Sequence, residues 1–115
     1  MPLHDDGIRL RHMLDHAREA LAIAKGIKRE TLDSNRILSL ALVRLLEIIS
    51  EAANRVSDQC RRENPSLPWA QVVSLRNRLI HGYDSVDHDI LWQILTGDLP
   101  VLVAELENIL RKGKT

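Results

Sequence analysis

The 115-residue chain contains no phenylalanine, one tyrosine and two tryptophans. Leu, Ile, Val and Ala make up the apolar content instead, which is the composition of a helical bundle. Cys60 is the only cysteine, which excludes an internal disulfide framework and fits a reducing cytosol. Charge of either sign is not in excess, since Lys plus Arg and Asp plus Glu number 16 each. No global field therefore draws the chain to nucleic acid or an anionic membrane, and any polyanion it binds must be held by a local patch. No apolar run reaches the roughly 18 residues of a membrane span, and Met1 to Gly7 is polar, unlike a signal peptide. The expectation is a cytoplasmic protein without a membrane partner. Its length suits one domain, residues 1–115, with a modest core that dimerisation would help.

Helical periodicity is what the chain does have. His4 to Gly26 is predicted as a first helix, with Asp5 or Asp6 as N-cap, Gly26 as stop, and an apolar stripe of Ile8, Met13, Leu14, Ala17, Ala20, Leu21 and Ala24. A second helix opens at Thr31 or Asp33 and is expected to run unbroken to about Glu63, a spine about 45 Å long. Its apolar arc (Ile37, Leu38, Ala41, Leu42, Leu45, Ile48, Ile49, Ala52, Ala53, Val56) covers about half the circumference, enough to touch two or more neighbours. The opposite face carries Ser39, Arg44, Glu47, Ser50, Glu51 and Asn54, interrupted by Leu40 and Val43, and suits a subunit contact or a solvated surface. Pro65 and Pro68 impose a break. A third helix follows from Trp69, a fourth from Val86 or Asp87 to Leu95, then an interruption at Gly97-Asp98 and a last helix to about Arg111. No strand is expected. The fold class is an all-α, antiparallel up-and-down bundle of four or five helices.

The chemistry is concentrated in Arg76-Asn77-Arg78-Leu79-Ile80-His81-Gly82-Tyr83. If Trp69 to His81 is one helix, Val72, Val73, Leu75, Leu79 and Ile80 form an apolar arc with Arg76 near its middle. A guanidinium aimed there keeps its charge and needs a partner or a polar cavity, because unpaired burial costs several kcal/mol. His81 is rotated about 140° from Arg76 on an ideal helix. The two converge only through the length of the arginine, the freedom of Gly82, or a second copy of the motif. The plainer reading is a salt-bridged Arg76 with His81 capping the helix end.

The Arg76-x4-His81-x-Tyr83 spacing resembles the Arg-x(4–6)-His signature of HEPN domains, and its His-x-Tyr ending resembles that of HepT-type toxins. Glu51-Ala52 on the second helix, the Pro65 to Trp69 stretch and Leu99-Pro100 match the same family, most clearly from Ile37 to Leu110. The resemblance implies a homodimer whose apposed third helices bring two Arg76 and two His81 into one cleft. It also implies the toxin of a type VII-like toxin–antitoxin system, a metal-independent endoribonuclease acting on RNA. In that chemistry a histidine is acid or base near neutral pH, and an arginine grips non-bridging phosphate oxygens. Asn77 would orient His81 or bind substrate. Tyr83 corresponds to the tyrosine that a partner nucleotidyltransferase antitoxin modifies with AMP, an anionic group that would compete for Arg76. The alternative is a non-catalytic nucleotide- or substrate-binding subunit working with a minimal nucleotidyltransferase, or a plain helical interaction protein.

Glu51 would neutralise Arg76, bind across the dimer, or simply pair with Arg55 at i+4. Arg78 points away from Arg76, to phosphate or to solvent. His12 and His16 share a helix face but lack a third ligand, so no metal is expected. Asp84, Asp87, His88 and Asp89 suit a loop cation site or, more ordinarily, helix N-caps. Arg61 and Arg62 suit the negative end of a helix. With no glycine-rich phosphate loop and no Ser-His-Asp spacing, no cofactor is expected.

Overall fold

The structure is a computed structural model that describes residues 4–82 and 85–113. Helix α1 (His4–Ala24) buries Leu10, Met13, Leu14, Ala17 and Ala20 along one stripe, and Gly26 at φ +79° turns the chain after it. A single turn, α2 (Thr31–Ser34), leads to Asn35, whose extended backbone and side-chain acceptance from the Leu38 N–H start α3 (Arg36–Asn54). Its 19 residues span about 28 Å. Ser57 then caps α4 (Asp58–Glu63) by accepting from the Cys60 N–H.

The spine is therefore shorter than expected and interrupted twice, at Asn35 and at residues 55–57. The second break has a tertiary cause. Buried Asp6 accepts from the backbone N–H of Ser57 (2.8 Å) and from its hydroxyl (2.6 Å), fixing Ser57 at ψ 154°, outside the helical range. Asp6 serves this junction rather than the cap of its own helix. Because Asp6 lies at the start of α1 and Ser57 just beyond the end of α3, the two helices run antiparallel. Arg61 donates to the carbonyls of Ala53 and Asn54 at the end of α3, the role expected of a cation at a helix C-terminus, and lies over the Trp69 ring.

The third predicted helix is also two. α5 (Trp69–Val73) and α6 (Leu75–Leu79) are separated at Ser74, whose hydroxyl donates back to the carbonyls of Ala70 and Gln71. After Leu79 the backbone becomes extended: β1 (Ile80–His81) pairs antiparallel with β2 (Ser85–Val86), Ile80 opposite Val86 and His81 opposite Ser85. Gly82 at φ +71° makes this turn accessible. The small hairpin replaces the helical end expected there, and it is the one departure from an all-α architecture among the described residues.

Helix α7 (His88–Gln93) is N-capped by Asp87, which accepts from the N–H groups of Asp89 and Ile90. Gly97-Asp98 does not break the helical run. Ile94–Asp98 forms a π-helical turn that carries the chain directly into α8 (Leu99–Lys112), with Pro100 in its first turn. Helix α1 packs on both α3 and α8, the latter pair joined by Arg18 and Glu107; α5 and α6 pack on α3. The start of α7 is tied to α2 by His88 with Asp33 and by Arg29 with both Asp33 and Asp89. Hydrogen bonds from His88 and Arg29 hold the Asp33 carboxyl below its usual pKa. The core these helices enclose is largely aliphatic, centred on Leu10, Leu42, Leu46, Ile49, Leu79, Leu91 and Leu106. No helix among the described residues is long and apolar enough to cross a membrane.

Candidate active site

Helix α6 is anchored by Leu75 and Leu79, buried four residues apart, which leaves Arg76, Asn77 and Arg78 on its outer side. The break at Ser74 resets the helical phase, so Arg76 is not in the apolar arc that an unbroken helix would give it. Its side chain is 63% exposed, and its Nε donates to Glu47 Oε2 at 3.1 Å. The other four N–H donors of the guanidinium make no hydrogen bond among the described residues. Glu47, on α3, is the partner that sequence reasoning missed. It lies one turn before Glu51, and a carboxylate at that spacing on the same polar face was the available signal. Glu51 itself stands 3.7 Å from Arg55, its ordinary i+4 neighbour, and does not pair with Arg76.

Arg76 and Asn77 line one cavity of about 320 Å³ with Arg44, Glu47, Ser50, Glu51, Asn54 and Val73. Ser50 braces its floor by donating to the Val73 carbonyl at 2.5 Å, joining α3 to α5. Arg78 donates to Asp98 Oδ2 at 3.0 Å, on the π turn, and lines a different, mostly apolar cavity. The π turn thus sets the position of Arg78's partner.

His81 is on β1, not on the helix, and is 60% exposed. Its Nε2 lies 3.7 Å from Asp87 Oδ2, while Asp87 Oδ1 caps α7. The Asp87 backbone N–H also donates to the Leu79 carbonyl at 2.8 Å. One residue therefore tethers the hairpin, caps the next helix and turns a carboxylate oxygen toward the imidazole. His81 is not among the residues lining the Arg76–Asn77 cavity within one chain. Tyr83 and Asp84 lie outside the described residues.

The secondary constellations resolve simply. The Nδ1 of His16 pairs with the His12 carbonyl, and the two rings meet edge to face. Among the described residues no group of three or more His, Cys, Asp or Glu side chains is arranged to hold a metal ion. Cys60 is buried, and burial pushes its thiol pKa upward, the wrong direction for a nucleophile.

α6 thus carries an exposed Arg76, and the strand that follows it carries an exposed His81. The family profile described as "Ribonuclease HepT-like" matches residues 13–109, and the chain belongs to that family. A Methanocaldococcus jannaschii protein named "Putative RNase" is 35% identical over 95 residues, covering 83% of this chain and 87% of that one. A Caldanaerobacter subterraneus protein of the same description is 32% identical over 105 residues, 91% and 94% of the two chains. A Thermococcus cleftensis protein named "Probable ribonuclease HepT" is 36% identical over 69 residues, 60% of this chain and 63% of that one. No solved structure gives a significant match.

Proposed function

We propose that the chain is a metal-independent endoribonuclease that acts as a homodimer, the cytoplasmic toxin of a toxin–antitoxin pair. The observation that carries this reading is that neither Arg76 nor His81 is consumed by the fold. Arg76 keeps the outer edge of its guanidinium open, and His81 stands exposed on a short strand instead of capping a helix. A buried structural salt bridge, the plainer reading, does not describe Arg76.

One subunit supplies a single imidazole at this site, and strand cleavage needs both an acid and a base. A two-fold pair supplies two. One His81 takes the proton of a ribose 2′-hydroxyl as that oxygen attacks phosphorus, and the other gives a proton to the departing 5′-oxygen. The P–O5′ bond breaks, leaving a cyclic phosphate and a free 5′-hydroxyl. Arg76 neutralises the charge that builds on the non-bridging oxygens, and Asn77, in the same cavity, holds substrate. Asp87, 3.7 Å from the ring, orients His81. Tyr83, two residues beyond, attacks the α-phosphorus of ATP held by a nucleotidyltransferase antitoxin, the phosphoanhydride breaks with loss of pyrophosphate, and the AMP left on the tyrosine occupies Arg76 in place of RNA.

Purified protein is expected to cut RNA in the presence of a chelator, and co-expression with a nucleotidyltransferase encoded beside it is expected to add one AMP that the Tyr83→Phe variant does not take. A clean dimer that leaves RNA intact would favour the nucleotide-binding subunit instead. Cleavage without any added AMP on Tyr83 would retain the nuclease and remove the proposed control.

A further inference from the structure

Arg9 and His12 lie three residues apart on α1, and Arg55 is the C-cap of α3. With Ile48, Glu51 and Ala52 they line a second cavity of about 320 Å³. Three basic side chains meet one acid there. That acid, Glu51, is also in the wall of the Arg76–Asn77 cavity, so the two hollows adjoin along α3.

Arg9 is the unexplained member. Its side chain is only partly exposed, and its Nε is sealed from solvent with no hydrogen-bond partner. Asp6, three residues earlier, is occupied by Ser57 through both carboxylate oxygens. Glu51 lies 3.7 Å from Arg55, beyond hydrogen-bond distance, and both side chains are 61% exposed. The terminal nitrogens of Arg9 make no hydrogen bond or ion pair among the described residues, so its guanidinium is free to take a ligand carrying anionic oxygens.

We propose that Arg9, His12 and Arg55 form a phosphodiester-binding site that holds the RNA backbone one station away from the scissile bond. The proposal rests on the ribonuclease reading and names how that site receives its substrate. A guanidinium suits two non-bridging oxygens at once, and such contacts fix the register of a strand without reading its sequence. Glu51 between the two cavities repels phosphate from the ridge, so neighbouring phosphates settle on either side of it.

The test measures binding of a labelled single-stranded RNA oligonucleotide across a salt series, alongside cleavage kinetics, for Arg9→Ala, Arg55→Ala and, as control, Arg11→Ala. Arg11 is exposed on α1 and does not line the cavity. Each of the first two variants is expected to weaken binding and to lower the slope of log K against log salt by about 0.7, the value for one lost single-strand phosphate contact. KM should rise while kcat is kept, and Arg11→Ala should change neither. Should Arg9→Ala fail to fold, Arg55→Ala decides the matter, because its exposed side chain carries little of the core. Unaltered affinity and slope overturn the proposal, as does a parent protein that binds no RNA. Loss of dimer in place of a changed slope overturns it too, by assigning the cavity to a subunit contact. Weakened binding by a parent that never cuts RNA sinks the nuclease and keeps this site; cleavage indifferent to both variants does the reverse.

Discussion

Replacing His81 with alanine is expected to lower the rate of RNA cleavage roughly 10²- to 10⁴-fold, the range for losing a positioned general acid or base. Because the ring is 60% exposed and its nearest ionic neighbour among the described residues is 3.7 Å away, the fold should be almost unaffected; surface changes of this kind usually stay within about 0.5 kcal/mol. The effect should fall on kcat, with RNA affinity nearly unchanged, since the imidazole acts on protons and Arg76 on phosphate. Single-turnover cleavage and a thermal melt of the same preparation separate the two. A variant that melts like its parent and cuts like its parent removes His81 from the chemistry.

Leu46→Ala should destabilise the fold by about 2–5 kcal/mol. Leu46 is completely buried, on the helix that contacts α1 on one side and α5 and α6 on another. A chain of this size would lose roughly 4 °C of melting temperature per kcal/mol, so a shift of roughly 8–20 °C is expected in calorimetry. A shift of only a degree or two would mean that α3 is not the centre of the core.

Leu46 also shows why the sequence yields the helix but not its phase. Apolar spacing includes Ile37, Ala41 and Ile48 in the buried stripe, yet Ile37 is 82% exposed and Ala41 is exposed as well. The buried positions keep Leu42, Leu45, Ile49, Ala52 and Ala53 of the expected arc and add Ser39, Val43, Leu46 and Ser50, so the arc is turned slightly around the helix. Two serines hide that line from a hydropathy reading. Their burial is offset because Ser39 donates to the Leu32 carbonyl and Ser50 to that of Val73. Neither carbonyl can be located before the chain is folded.

The same distinction governs the motif. Residue types over Arg76 to His81 were sufficient to recognise the family and the chemistry it implies. The geometry depended on Ser74, which resets the helix and turns Arg76 toward Glu47, and on Ile80, which leaves it. Asp87 fulfils the N-cap role expected of it, whereas Asn35 and Ser57, which also cap helices, lie inside the run that the sequence reads as unbroken. What turned Ser57 into a break was the Asp6 carboxylate, 51 residues away in the chain. Pairings over that separation leave no periodic trace.

The hairpin that carries His81 is held by two residues on each strand and by the Asp87 N–H. So short a ribbon is marginal by itself. The bundle beneath can therefore remain intact while the two strands part and pair again many times, and amide exchange should begin at Ile80, His81, Ser85 and Val86 long before it reaches α3. The imidazole rides on this marginal ribbon, so warming should abolish RNA cleavage at a temperature where the helices are still formed.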